Sequence, residues 1–236
     1  MTISFKIGDC AKLILDEDTK IDAVVTDPPY AISIKHGGGI AAQRALWGGG
    51  DLNNIHAGSD FDVIAYLELF RERINPFVAA VFTQKKGLHQ MIDWSESNGF
   101  YWDIMAWHKP LATPLCKGHA PLDTEWCVCI REPGSYFPST YKEYGESWYV
   151  EESYRRKTDF EHPTIKPLAL MKRLIVRSCP KNGTVLDPFA GTGTTLKAAN
   201  ATGRNAIGYE INPKWAHYLE RITINNLSSY ETEVDA

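Results

Sequence analysis

A chain of 236 residues, 44% of them apolar, is long enough to bury a substantial core as one large domain or one with insertions. Its formal net charge of −4 argues against binding nucleic acid through the global field, although a local basic groove remains compatible with it. The apolar runs are too short to cross a bilayer, and the five cysteines form no C-x-x-C pair, which reads as reduced thiols in a cytoplasmic protein with no membrane partner.

In chain order, residues 3–7 alternate as a short strand that ends at Gly8-Asp9-Cys10, and a short helix follows at about 11–15. The apolar run at 21–26 reads as a buried parallel strand ending in Asp27-Pro28-Pro29-Tyr30. From about 31 to 60 the chain is polar and carries Gly37-Gly38-Gly39 and Gly48-Gly49-Gly50, which reads as a mobile insertion directly after that turn. A helix is expected at about 63–73, with Ile64, Leu67 and Phe70 on one face. A strand at 78–82, a helix at about 88–98 ended by Gly99, and strands at 101–107 and 125–130 follow. The stretch at about 132–161 reads as irregular, rich in Pro, Gly, Tyr and charge.

After Pro167 comes an amphipathic helix with Leu168, Met171, Leu174 and Ile175 on one side and Lys172, Arg173 and Arg177 on the other. The strand 184–187 leads through Gly191 and Gly193 into a helix from 194 to about 200. A strand at 205–210 and a helix at about 214–226, capped by Asn212 and opened by Pro213, complete the pattern. The tail at 228–236 is polar and reads as frayed. Alternating strands and helices make one doubly wound, Rossmann-like α/β domain over 1–236, whose ligands belong at the carboxyl ends of the strands.

Two turns carry chemistry. The first is Asp27-Pro28-Pro29-Tyr30, which chance alone places in roughly one chain of this length in a thousand. Asp27 and the carbonyl of Pro28 can accept the two protons of an exocyclic amine, Pro28 and Pro29 stiffen the turn, and Tyr30 offers a face for a base to stack on. A plain Pro-Pro turn with a surface Asp is the competing reading. The second is Asp187-Pro188-Phe189-Ala190-Gly191-Thr192-Gly193-Thr194-Thr195, where the glycines let the backbone approach a ligand. Alone, that turn is shared with dinucleotide sites and ordinary tight turns. Glu210 follows it by about twenty residues, the interval at which a carboxylate meets ribose hydroxyls.

A nicotinamide dehydrogenase would explain the Gly turn and Glu210, but Leu196 stands at the third glycine position and Asp27-Tyr30 would have no use. The seven histidines are scattered without ligand spacing, so no metal is expected. Lys85-Lys86, Arg155-Arg156-Lys157 and the basic residues between Lys166 and Arg177 are candidate DNA-facing patches, though solvated faces are the commoner explanation.

These residues together resemble the β-class S-adenosylmethionine-dependent DNA amino-methyltransferases, in which the catalytic motif precedes the cofactor motif, a circularly permuted order. The resemblance also rests on His162-Pro163-Thr164-Ile165-Lys166-Pro167, on Gly8-Asp9-Cys10, on Trp107-His108-Lys109-Pro110 and on Asp123-Thr124-Glu125-Trp126, in the family's order along nearly the whole chain. It implies that Asp187, Phe189, Gly191, Gly193 and Thr194 hold the cofactor's methionine end, that Glu210 binds its ribose, and that Asp9 and Cys10 lie against its adenine. Thr164 and Lys166 would cradle its carboxylate, with a DNA phosphate as the other option for Lys166. Asp27, Pro28, Pro29 and Tyr30 would hold the target base, with Trp107 either beside that base or in the core.

It further implies transfer to N6 of adenine in flipped-out DNA, with S-adenosylhomocysteine as product and restriction-modification as the setting. N4 of cytosine is the alternative. RNA or protein amides, or a non-catalytic nucleic-acid module, are more distant readings. A homodimer would help a small chain cover duplex DNA, since no separate target-recognition domain is evident in the sequence.

Overall fold

A computed structural model of the chain describes residues 1–29, 61–113, 122–140, 148–150 and 165–223. The insertion expected at 31–60, most of the stretch at 132–161 and the tail at 228–236 lie outside these residues.

The strands are β1 (Ile3–Ile7), β2 (Ala23–Thr26), β3 (Val78–Thr83), β4 (Tyr101–Thr113), β5 (Leu122–Arg131), β6 (Trp148–Val150), β7 (Thr184–Asp187) and β8 (Asn205–Glu210). They form one sheet in the order β1-β8-β7-β2-β3-β5-β4-β6. The first five of these lie parallel, while β5 runs antiparallel to both β3 and β4. The described helices are α1 (Cys10–Leu13), α2 (Val63–Arg71), α3 (Lys85–Ser97), α4 (Leu168–Ser178), α5 (Thr194–Ala201) and α6 (Ala216–Thr223), the last preceded by a 3-10 turn at Pro213–Trp215.

Side chains that alternate along each strand feed two cores, one per face. Ala23 and Val25 of β2 join Val78, Ala80 and Phe82 of β3 beneath Leu170, Leu174 and Ile175 of α4 and Leu196 of α5. Val24, Ala79 and Val81 face the other way, onto Val63, Leu67 and Phe70 of α2 and Met91 and Trp94 of α3. With both faces covered, the central strands read as continuous apolar runs rather than alternating ones, the mark of a parallel sheet in a three-layer α/β fold.

Four elements depart from the sequence expectation. β4 runs on to Thr113, and its register against β5 shifts between His108 and Thr113, where Pro110 has no N–H to give the ladder. The stretch taken as irregular holds β6, which pairs in parallel with Ala106–His108 of β4. Three residues are too few to show a period, so only the partner strand reveals it. α3 starts at Lys85, ahead of the expected start, without a side-chain cap on Gln84 to mark it. Arg177, placed on the solvent face of α4, is 3% exposed and pairs with Asp103 of β4 at 3.0 Å. A carboxylate partner on the neighbouring strand holds this polar position of the helix against the sheet, which helical spacing cannot show.

Cys10, Cys127, Cys129 and Cys179 are buried free thiols. Cys127 and Cys129 share one face of β5, as their spacing implies, and lie in the same core. None of the described helices is long and apolar enough to cross a membrane.

Candidate active site

The parallel strands bring their carboxyl ends to one edge of the sheet. Across it lie Asp9 after β1, Glu210 closing β8, the turn after β7, and Asp27 after β2. The register Ala23↔Val185 and Val24↔Leu186 makes β2 and β7 neighbours, so Asp27 and the Gly turn meet although they are far apart in the chain. The hydroxyl of Thr26 donates to Asp187 Oδ1 at 2.7 Å and ties the two turns together.

Asp187 is 3% exposed. Its carboxylate also accepts from the Phe189 N–H at 3.1 Å and from the Thr195 side chain. Burial nonetheless pushes it up to about 6, because these dipoles replace only part of the lost hydration. Gly191 and Gly193 both take positive φ, 52° and 80°. The Gly191 N–H donates to Glu210 Oε2 at 2.8 Å, and the Asn212 N–H donates to Oε1 of the same carboxylate at 2.8 Å. Burial raises Glu210 as well, against those two bonds. The space that a side chain would need at Gly193 is filled by α6: an added Cβ would sit 2.4 Å from Ile222 Cδ1 and 2.9 Å from Leu219 Cδ2. That glycine therefore answers to helix packing as well as to the turn. Thr194 opens α5.

Asp9 caps α1, accepting from the Ala11 N–H at 3.0 Å, and the preceding Gly8 N–H bonds the Glu210 carbonyl at 2.8 Å. Cys10 is 5% exposed and hydrogen-bonds Tyr66, with its thiol pushed up to about 12 by burial first and the Asp9 charge second. Phe61 stacks on Tyr66 at 4.9 Å, and Phe189 meets both rings edge-on at 5.5 Å. With Thr26 and Pro28 these rings line a small apolar cleft. Sequence reading missed Phe61 and Tyr66: Tyr66 lies on a helix where an aromatic looks like ordinary packing, and Phe61 precedes that helix with no motif around it.

Asp27 is ion-paired with Lys166, whose Nζ also lies 3.2 Å from Glu125 Oε2. Lys166 is 6% exposed, and its ammonium stands 4.8 Å from the centre of the Phe82 ring and 5.9 Å from that of Trp107. Burial lowers the proton affinity of this ammonium, but Asp27 and Glu125 outweigh it and leave it raised. Lys166 was read from the sequence as a cofactor or phosphate contact; it occupies the catalytic side of the edge. Trp107 is 2% exposed and packs in the core beside Lys166, the second of the two places the sequence allowed it. Glu125 faces Trp107 across β4 and β5 and had no role in the sequence reading. Pro28 is buried and Pro29 partly so. Tyr30 and Thr164 lie outside the described residues. Among the described residues there is no group of His, Cys, Asp and Glu that could hold a metal.

A conserved-sequence profile for DNA methylases, N6_N4_Mtase, matches residues 21–221, so the chain belongs to this DNA methylase family. The chain is 26% identical over 223 residues to the type II methyltransferase M2.MboI of Moraxella bovis, covering 86% of this chain and 81% of that protein. A shorter match, 54% identical over 54 residues, links it to the DNA adenine methyltransferase YhdJ of Escherichia coli K12, over 23% of this chain and 18% of the relative. Among solved structures, the M1.HpyAVI–SAM complex superposes with a TM-score of 0.67 at 25% identity, over 93% of this chain and 99% of that one. The cytosine-N4-specific PvuII DNA methyltransferase shares the fold, with a TM-score of 0.67 at 17% identity, over 100% of this chain and 91% of that one.

Proposed function

We propose that this DNA methylase transfers a methyl group from S-adenosylmethionine to N6 of adenine in DNA. The observation that carries the reading is the juxtaposition on adjacent strands of a carboxylate turn suited to an exocyclic amine and a Gly turn flanked by Asp187 and Glu210, tied by the Thr26–Asp187 bond. The donor set fits the cofactor: carboxylates at Asp9 and Glu210 suit ribose hydroxyls and an amine, and Phe189 with Tyr66 and Phe61 supplies apolar cover. When bound, S-adenosylmethionine supplies a methyl group activated by its sulfonium charge.

The chain's own residues address the other reactant. An aromatic amine is a poor nucleophile because its lone pair is shared with the ring. Asp27 and the Pro28 carbonyl accept its two protons, favour a pyramidal nitrogen and aim the lone pair at the methyl. As the nitrogen–carbon bond forms and the sulfur–carbon bond breaks, positive charge grows on nitrogen, and the Asp27 carboxylate stabilises it. The excess amine proton then leaves to solvent. A base inside a duplex must first be flipped out, which costs a few kcal/mol that stacking on Tyr30 partly recovers.

Adenine is favoured because Asp rather than Ser opens the catalytic motif at position 27, and because the local match to the E. coli protein is to one named as an adenine methyltransferase. N4 of cytosine is the second reading, favoured by the shared fold of the cytosine-N4-specific PvuII structure. The type II relatives support a place in restriction-modification. Nucleoside mass spectrometry of DNA from cells expressing the chain is expected to show N6-methyladenine above background. N4-methylcytosine alone would move the reaction to cytosine, and neither product would overturn the reading.

A further inference from the structure

We propose that Lys166 is the positioning residue of the catalytic turn, holding Asp27 and Glu125 on one buried ammonium. The inference rests on the proposed amino-methyl transfer and adds two residues to it. Lys166 sits just before α4, Asp27 just after β2 and Glu125 on β5, so the ion pairs join three segments at the floor of the site.

Three observations favour this role over contact with the cofactor or with a DNA phosphate. First, the Lys166 side chain is 6% exposed, whereas Asp27 and Glu125 keep 21% and 29% of their side chains exposed. Lys166 is the most buried of the three side chains. Second, the ammonium already serves two carboxylates, with the rings of Phe82 and Trp107 beside it. Reaching any other anion would strip both. Third, without the cation two carboxylates would share a partly desolvated corner and repel each other, and Asp27 would lose its ion pair. Methyl transfer depends on where that carboxylate stands, because it must meet an amine proton while the nitrogen lone pair faces the methyl.

The raised proton affinity of the ammonium, caused by Asp27 and Glu125 against burial, agrees with the geometry.

The test separates binding from turnover. Lys166→Met keeps an unbranched side chain, one heavy atom shorter, and removes its charge. Tritiated-methyl transfer to DNA at saturating cofactor is expected to fall by about 100-fold, the scale of a misplaced catalytic group. Calorimetric affinity for S-adenosylmethionine is expected to stay within about three-fold of wild type, an effect of roughly RT ln 3. Lys166→Arg, which keeps charge but changes donor geometry, should recover part of the rate.

Because Lys166→Met leaves an excess buried negative charge, the double variant Lys166→Met/Glu125→Gln restores the local charge and guards against failure to fold. Its rate is expected to stay low, since the ammonium that pairs with Asp27 is then missing. Wild-type turnover in either folded variant overturns the inference. A loss of cofactor affinity of about ten-fold or more with turnover preserved at saturation also overturns it, in favour of a cofactor role. The proposed function is tested separately, by methyl incorporation with the wild-type chain.

Discussion

The two halves of the site hold their carboxylates by different physics. On the cofactor side, Asp187 and Glu210 are held by backbone N–H groups and hydroxyls, and among the described residues neither has a cationic partner. Both are raised by burial. On the catalytic side, Asp27 and Glu125 share the buried Lys166. Dipoles orient a carboxylate without cancelling its charge, so part of the desolvation cost shows as increased proton affinity. An ammonium offsets the charge itself. A site that must aim one carboxylate at a neutral amine gains from a fixed one.

The sharpest way to break the comparison is Asp27→Ala. Methyl transfer is expected to fall by at least about 100-fold, the scale of losing a key electrostatic contact, while cofactor affinity changes little. Equal losses in both quantities would mean that the two halves are one unit, and radiometric turnover beside calorimetry decides it.

A smaller effect tests the dipole-held half. Asp187 goes from an ordinary 3.8 to about 6 in the fold. An acid raised on folding contributes stability below its unfolded value and loses it as pH climbs through the folded one. The shift of about two units corresponds to about 3 kcal/mol. Asp187→Asn lacks this titration. Its stability relative to wild type, from urea unfolding, is therefore expected to improve by up to about 3 kcal/mol between about pH 4 and pH 7. A difference that does not change with pH would remove burial as the dominant influence on Asp187.

Least in size is the cost at the Gly turn. Gly193→Ala meets both a left-handed backbone and the Ile222 side chain at 2.4 Å, and should cost about 1–3 kcal/mol. Gly203→Ala has a similar φ of 73° but its nearest atom, on Lys181, is 3.7 Å away, so strain alone, about 1 kcal/mol, applies. Thermal melts that rank Gly203→Ala as the worse variant would discard the packing role assigned to α6.

Much of this molecule was legible in its residues. β1 and β8 have the bounds the apolar runs imply, and β2, β3, β7 and the helices α2, α4 and α5 lie where period and caps put them. Local pattern suffices there because each element buries its own apolar side against a sheet with two covered faces. The two motif turns were legible for the same reason: each is a contiguous string whose residue types are narrowly constrained by what a strand end can present.

The sequence could not supply the partners of those strings. Nothing local to Lys166 points to Asp27 or Glu125, nothing in Thr26 points to Asp187, and Arg177 looks solvated until β4 brings Asp103 beside it. These are long-range electrostatic choices, made when adjacent strands fix which charges share one buried corner. Burial sets the cost of each charge, and only the strand order decides which partner is near enough to offset it.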